Sequence, residues 1–193
     1  MNENHIIDSF SIRWVVALKE EAKTIIDHYK LSIIDGKSFF PVFKNFDETH
    51  WLVLSGIGRH NAAAATAYLY SISKSSKSAA WINLGIAGCG KGNYGDLCLV
   101  DKISNSSRKN RYPTIMPRSV LSKMHLFTSD TPINNYSAHE LIDMEGSAFY
   151  DIASKFTSNE LICLMKVISD GPKNDIKDLN KDRIIDLIKS NII

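Results

Sequence analysis

The chain has 193 residues, of which 44% are hydrophobic and 23% charged, an ordinary composition for a globular protein long enough to bury a sizeable core. Its formal net charge of +2 gives no indication of a nucleic-acid-binding surface or an acidic tail. Residues 1–10 are polar and acidic, unlike a signal peptide, and no apolar run approaches the roughly 20 residues that span a bilayer, so we expect a cytoplasmic protein.

The predicted elements alternate between strands and helices. Residues 12–18 are apolar and β-branched, which predicts a buried strand, and residues 19–30 carry apolar side chains at helical spacing. The further predictions, in chain order, are strands at 39–43 and 51–55, a small-residue helix from Arg59 past Tyr70, a strand at 80–84, a glycine-rich loop at 85–96, a strand at 97–103, a loop at 104–117, a strand at the end of 120–128, a helix at 143–156, a strand at 161–168 and a helix at 179–192. Because several strands are apolar throughout, they need cover on both faces, which predicts a three-layer α/β/α sandwich formed by one domain over residues 1–193.

Acidic side chains or glycines follow four of these strands. In open α/β sheets, ligands bind beyond the carboxyl ends of strands, where glycines let the backbone approach the ligand closely. The residues at these places are Glu20 and Glu21, Gly56 and Gly58, Gly85 and Gly88, and Ser169 and Asp170. Each pair also has a structural explanation by itself, since acids at a helix start complement the helix dipole and glycines terminate strands.

Five segments, taken together and in order, resemble the nucleoside phosphorylase and methylthioadenosine/S-adenosylhomocysteine nucleosidase family. They are ALKEEAKTII from Ala17, LSGIGRHNAAAATAYL from Leu54, INLGIAGCGKGNYGDLCLV from Ile82, DMEGSAFYDIA from Asp143 and VISD from Val167. The Met-Glu pair followed by a strand that ends in Ser-Asp is the most specific part. The resemblance implies a nucleoside phosphorylase-like fold with a central mixed sheet.

The resemblance also implies a role for each acidic residue in cleaving the bond between a base and a ribose. Asp170 matches the acid that protonates the purine at N7, and Ser169 matches the residue that holds this acid. Glu145 matches the carboxylate that binds the ribose hydroxyls, with Met144 against the sugar, and Glu21 matches the acid that activates the attacking water. The residues expected to line the sugar and water site are Gly56, Gly58, Gly85, Ile86, Ala87 and Gly88. A proton on the departing base and anions near the sugar both lower the barrier to this reaction.

The central glycine region departs from the phosphorylases of this family. Those enzymes bind phosphate with an Arg and a Ser, and the corresponding places here fall near Asn83 and Ile86. Neither supplies a cation, and charge-assisted contacts are what hold a phosphate. The sequence therefore favours an N-ribosyl hydrolase over a phosphate-dependent purine nucleoside phosphorylase. Ile86 also replaces a small hydroxyl residue that helps in many nucleosidases, so we expect water activation to differ.

The segment before the Met-Glu pair is a second departure. The family usually carries a longer segment here, with an aromatic residue that stacks on the base. In this sequence Pro132 stands in its place, and Phe127 is an alternative that the sequence does not place. The segment is short and the chain ends early, which predicts a reduced helix or lid. Three interpretations stay open: a larger substrate, a site completed by a partner, or a non-catalytic nucleoside-binding homologue.

A third departure is Lys166, which stands where many nucleosidases have an Arg and which cannot make the planar fork of a guanidinium.

The expected substrate is a purine or purine-like nucleoside such as methylthioadenosine, S-adenosylhomocysteine or futalosine, since compact relatives such as futalosine hydrolases have a similar glycine loop.

No metal or organic cofactor is predicted. The six histidines show no ligand spacing, and the three scattered cysteines predict buried free thiols. The family resemblance implies a homodimer in which residues are lent across the interface to the partner's site.

Overall fold

The computed structural model describes residues 10–74, 77–107, 109–114, 120–133, 135–136 and 140–192. Its strands, in chain order, are β1 (Ile12–Val16), β2 (Ser32–Asp35), β3 (Val42–Lys44), β4 (His50–Leu54), β5 (Ala80–Cys89), β6 (Leu97–Asn105), β7 (Ser122–Thr128), β8 (Glu140–Asp143) and β9 (Ile162–Asp170). Its helices are α1 (Lys19–His28), α2 (Arg59–Ile72), α3 (Gly146–Ala153) and α4 (Lys181–Ile192), with short 3₁₀ turns at Asn159–Leu161 and Ile176–Asp178.

The strands form a mixed sheet that closes on itself along one part. Its order is β2-β3-β4-β1-β5-β8-β7-β6-β9, and β9 also pairs with β5, so five strands form a small closed barrel. β1, β4, β5 and β9 are parallel along their shared pairings, while β8 runs antiparallel to β5 and β6 antiparallel to β9. The predicted mixed sheet is therefore confirmed. The three-layer sandwich is not confirmed, because part of the sheet forms this barrel.

The four helices cover the two faces of β1. Successive side chains of a strand point to opposite faces, and Val15 belongs to one buried cluster while its neighbours Trp14 and Val16 belong to another. The cluster around Val15 includes α2 and α3, through Leu69 and Phe149 among others. The other cluster includes buried residues of α1 and α4, and these two helices pack against each other. None of the helices in the described part of the chain is long and apolar enough to span a bilayer.

The prediction of a glycine-rich loop from residue 85 is wrong at its start. Residues 85–89 continue β5, with Gly85 opposite Lys166, Ile86 opposite Val167 and Gly88 opposite both Asp170 and Ile142. Glycines are depleted in strands because they have no side chain to pack. Here the missing side chains leave room for polar groups, with Glu21 against Gly85 and Asp170 against Gly88.

Three other boundaries differ from the sequence predictions. The helix predicted at 143–156 is α3, which begins only at Gly146, because Asp143 ends β8 and pairs with Thr128 of β7. The four-residue strands β2 and β8 were not predicted, since each is too short to show a periodic pattern. β3 begins at Val42 rather than at Phe39, whose side chain is 82% exposed. The predicted loop at 104–117 lies partly outside the described residues.

The remaining predicted strands and helices have counterparts, with shifts of a few residues at their ends. The three cysteines are free thiols, with Cys89 and Cys98 buried and Cys163 partly buried.

Candidate active site

A cavity of about 280 Å³ lies where β1, β5, β8 and β9 converge. Most of the residues singled out from the sequence lie on its wall, namely Glu21, Ile86, Ala87, Gly88, Met144, Glu145, Ser169 and Asp170. Gly56, Gly58 and Gly85 are not among the described lining residues, but each is the sequence neighbour of one, Ile57 or Ile86. The sheet therefore brings together residues that are up to 149 positions apart, from Glu21 to Asp170.

Glu21 is fixed by two backbone donors on opposite sides. It is the third residue of α1, and its Oε2 accepts a hydrogen bond of 2.8 Å from the N–H of Leu18 just before the helix. Its Oε1 accepts another of 2.8 Å from the N–H of Ile86 on β5. A Cβ at Gly85 would lie 3.0 Å from Oε1, so a glycine at this position leaves the space that the carboxyl group uses. Burial raises the pKa of Glu21, although both backbone N–H groups and Lys166 oppose the rise.

Glu145 lies directly before α3 and is bound by the turn that starts α2. The N–H of Gly58 donates to its Oε1 at 2.6 Å across 87 positions of sequence. Gly56 and Gly58 both have a positive φ, of 75° and 103°, which side chains other than glycine rarely adopt. Burial, and then the charge of Asp143, raises the pKa of Glu145 to about 7. The glycine turn therefore aims a backbone donor at the predicted ribose-binding carboxylate.

A buried ion pair between Lys166 and Asp143 lies close to Glu21 and Glu145. The Nζ of Lys166 lies 2.8 Å from Oδ2 of Asp143, and the two side chains are 2% and 1% exposed. Asp143 also accepts hydrogen bonds of 2.8 Å from the hydroxyl of Thr128 and from the N–H of Gly146. Although burial disfavours the charge on Lys166, the carboxylates of Asp143, Glu145 and Glu21 together raise the pKa of its ammonium group. Three acids thus surround one cation.

Asp170 ends β9 and borders the same cavity, where it lies between two hydroxyl groups. The Oγ of Ser169 donates to Oδ1 of Asp170 at 2.5 Å, and the hydroxyl of Tyr136 donates to Oδ2 at 2.5 Å. Asp170 is 5% exposed and its Oδ2 would lie 2.8 Å from a Cβ at Gly88. The carboxyl group of Asp170 therefore lies close to the backbone of Gly88, and both residues line the cavity.

Two of the carboxyl groups lie against glycines of β5, Glu21 against Gly85 and Asp170 against Gly88. The remaining wall is largely apolar and includes Ile57, Ile142 and Ile176, and its described residues include no Lys, Arg or His.

Structure comparison finds the same architecture in nucleosidases. The chain aligns with the 5′-methylthioadenosine/S-adenosylhomocysteine nucleosidase of Neisseria meningitidis, in complex with methylthio-immucillin-A, at a TM-score of 0.74 and 16% identity, over 94% of each chain. It aligns with the 5′-methylthioadenosine nucleosidase of Arabidopsis thaliana at a TM-score of 0.72 and 18% identity, over 93% of this chain and 88% of that one. A futalosine hydrolase mutant of Helicobacter pylori aligns at a TM-score of 0.70 and 14% identity, over 94% of each chain.

The chain has the nucleosidase fold. The family resemblance seen in the sequence is thereby confirmed at the level of fold. No protein-family model and no curated sequence matches the chain. At identities of 13–18% the alignments establish the architecture, and the chemistry has to be argued from the chain's own residues.

Sequence reasoning missed a side chain of this nucleosidase-fold cavity that binds a predicted catalytic group. Tyr136 lines the cavity and binds Asp170, whereas Phe127 lies on β7 opposite Ile142 and is not among the described lining residues. Pro132, which the sequence resemblance puts at the position of a stacking aromatic, is on the wall. The available signal was a second aromatic residue four positions after Pro132. Residues 134 and 137–139 of the predicted reduced lid lie outside the described residues.

The raised pKa of Glu145 predicts a pH-dependent stability that Glu145→Gln removes. A carboxyl group with a pKa of about 7 in the folded state, against 4.5 in the unfolded state, contributes stability that is present at low pH. This contribution is lost as the pH rises from about 4.5 to about 7, because the unfolded chain ionises first. Gln stays neutral and can still accept the hydrogen bond from Gly58, so we expect the variant to gain up to about 3 kcal/mol relative to wild type between pH 5 and pH 8.

Urea unfolding of both proteins at the two pH values measures this difference. Glu160→Gln is the matched control, because the side chain of Glu160 is exposed and its pKa is lowered, mainly by a hydrogen bond from Ser158. This control should show no relative gain at pH 8. If Glu145→Gln and wild type change in parallel from pH 5 to pH 8, the pKa of Glu145 is not raised.

Proposed function

We propose that the chain is an N-ribosyl hydrolase that cleaves the glycosidic bond of a purine or purine-like nucleoside with water. The observation that carries this proposal is that Asp170, Glu21 and Glu145 all lie on the wall of a single cavity. A nucleosidase reaction needs an acid at the base and anionic groups at the sugar and the water, and the cavity wall carries three carboxyl groups for these roles. The similarity to nucleosidase structures supports the same assignment.

Each acidic residue has one step in the proposed reaction. Glu21 accepts a proton from a water molecule whose oxygen forms the new bond to C1′ of the ribose. The electrons of the bond between C1′ and the base move to the base, which takes a proton from Asp170. Glu145 accepts hydrogen bonds from the ribose hydroxyls and, with Met144 beside it, holds the sugar. The products are the free base and the free ribose derivative.

The environment of Glu21 fits a base that activates water. Burial raises the pKa of this carboxyl group, and a carboxylate with a raised pKa takes up a proton more readily than an exposed one. Lys166 and two backbone N–H groups act in the other direction on the pKa of Glu21 and favour its charged form. Ile86 lines the cavity beside it with an apolar side chain, so Glu21 carries the task without the small hydroxyl residue found in many nucleosidases.

The alternative of a phosphorylase is weakened by the absence of a cation on the described cavity wall. Phosphate binding depends on charge-assisted hydrogen bonds. Asn83, near the place of the phosphorylase Arg, donates its amide to the carbonyl of Val15 inside the sheet. Lys166, the buried cation next to Glu21 and Glu145, is already paired with Asp143. Water is therefore the nucleophile that this cavity suits.

We expect phosphate-independent release of free base from at least one member of a nucleoside panel. The panel holds methylthioadenosine, S-adenosylhomocysteine, adenosine, inosine and futalosine, each with and without phosphate, with the released base and sugar separated by chromatography. Free ribose derivative in the absence of phosphate supports the hydrolase, and ribose 1-phosphate formed only with phosphate would establish the phosphorylase. Binding by calorimetry without release from any nucleoside would establish a non-catalytic homologue.

The homodimer and the cytoplasmic location remain predictions from the sequence. Ile57 lies on the cavity wall and is 55% exposed, which fits a site that a second subunit borders. Light scattering on the purified chain measures its oligomeric state.

A further inference from the structure

Asp170 is held by one hydroxyl group on each of its two carboxyl oxygens. Ser169 supplies the donor on Oδ1 from the neighbouring position of β9, and Tyr136 supplies the donor on Oδ2 from a loop 34 positions away. A free carboxyl group at a strand end can rotate about its terminal bond, and two donors on opposite oxygens fix its plane. The family resemblance accounts for Ser169 and assigns nothing to Tyr136.

The ring of Tyr136 is seated against the sheet by a close fit to Gly88. A Cβ at Gly88 would lie 2.5 Å from Cε1 of the ring and 3.2 Å from Cδ1, so any larger residue at this position would displace the ring or its neighbour Asp170. Tyr136 also forms part of the cavity wall, beside Pro132 and Ile133. The aromatic side chain therefore lies beside Asp170, directly on the backbone of β5.

The loop that leads to Tyr136 is tied to the rest of the site at its start. The N–H of Ser129 donates to the carbonyl of Asp143 at 2.8 Å, and Nε of Arg59 lies 3.2 Å from Oδ1 of Asp130. Burial, followed by the hydrogen bond to Asp170, raises the pKa of the Tyr136 phenol above its usual range. The phenol thus keeps its proton at neutral pH and remains a donor.

We propose that Tyr136 is a positioning residue for Asp170 in base release, where its hydroxyl stabilises the carboxylate that forms as Asp170 gives its proton to the departing base. This role rests on the proposed hydrolase function. When Asp170 transfers the proton, negative charge develops on its two oxygens, and a donor aimed at each oxygen in advance lowers the energy of that state. The hydroxyl of Ser169 acts on one oxygen and the hydroxyl of Tyr136 on the other.

The test is Tyr136→Phe, which removes the hydroxyl group and keeps the ring against Gly88. A hydrogen bond to a charged group is lost, so we expect kcat for base release to fall about 10- to 100-fold with KM within about threefold of wild type. Tyr150→Phe is the matched control, because its hydroxyl donates to Asn159 away from the cavity and its loss should leave both constants unchanged.

A second substrate separates this role from a structural one. A 4-nitrophenyl riboside releases an anion that needs no proton, so Tyr136→Phe should hydrolyse it at close to the wild-type rate. Three results would each overturn the role of Tyr136. The first is an equal loss of rate on the nucleoside and the nitrophenyl riboside, and the second is an unchanged kcat for the nucleoside. The third is a higher kcat/KM for the variant, which would mean that the hydroxyl competes with the nucleobase for Asp170. In those cases wild type is active and the hydrolase stands, whereas a wild type inactive on every substrate overturns the function and the role together.

Discussion

Replacing Asp170 by Asn is expected to lower kcat for base release by about 100- to 10,000-fold while the protein remains folded. General acid catalysis contributes an effect of this size, and the amide of Asn cannot supply the proton that the departing base needs. The fold should survive because Asn has nearly the same shape as Asp. Its amide oxygen can accept from one of the two hydroxyls that bind Asp170, and its amide group can donate to the other.

Base release from the preferred nucleoside and urea unfolding of the same preparation measure the two halves of this expectation. Asp182→Asn, in the exposed first turn of α4, is the matched control and should leave kcat unchanged and lower stability by less than about 1 kcal/mol. A kcat within a few-fold of wild type for Asp170→Asn would exclude Asp170 as the acid. A large loss of stability would show instead that the carboxyl group is mainly structural.

The acids of the candidate site could be found in the sequence because each lies beside a strong local signal. Glu21 follows the apolar run of β1 at the start of a helix, and Asp170 ends the apolar run of β9. The carboxyl ends of such strands are where ligands bind in α/β sheets, so position along a strand already placed these residues near a site. Glu145 was recognised through the Met-Glu pair, and the structure places it on the same cavity wall.

The groups that orient these acids could not be found in the same way. The N–H of Gly58 binds Glu145 across 87 positions, and the hydroxyl of Tyr136 binds Asp170 across 34. Periodicity reports which face of an element is apolar, and it carries no information about which distant loop meets that element. Tyr136 follows Pro132 by four positions, and its hydroxyl binds the carboxyl group of Asp170.

The closure of the sheet is a second feature that local patterns do not contain. β9 pairs with β5 on one edge and with β6 on the other, and both pairings join residues far apart in sequence. An apolar run is equally compatible with a strand inside an open sheet and with a strand in a barrel. The extension of β5 through Gly85 and Gly88 belongs to the same class, since glycines read as a loop until the pairing partner is known.

The second large effect is expected from Lys166→Met, which leaves three buried carboxyl groups without their cation. Removing one partner of a buried ion pair typically lowers the free energy of unfolding by about 3–5 kcal/mol, because the other charge stays buried and uncompensated. Here the remaining charge is that of Asp143, with Glu21 and Glu145 adjoining it. Lys23→Met is the matched control, since Lys23 pairs with Asp27 on the surface and its loss should change stability by less than about 1 kcal/mol.

The loss should also depend on pH with a definite sign. Lys166 lowers the pKa of Glu21 and of Glu145, so its removal raises both pKa values further above those of the unfolded chain. The two carboxyl groups then bind protons more strongly when folded, and the stability that this contributes is present at low pH and lost as the pH rises through the raised pKa values. Urea unfolding should therefore show a larger deficit for Lys166→Met at pH 8 than at pH 5.

A double variant decides whether the deficit comes from uncompensated charge or from lost packing. In Lys166→Met with Asp143→Asn, the charge that Lys166 balanced most closely is also removed, while Asn can still accept the hydrogen bond from Thr128 or from Gly146. If charge is the cause, the double variant recovers much of the stability that the single variant loses. If the two losses simply add, the ion pair is not the source of the effect. Recovery would mean that Lys166 stabilises this cluster by balancing the charge of its buried carboxyl groups.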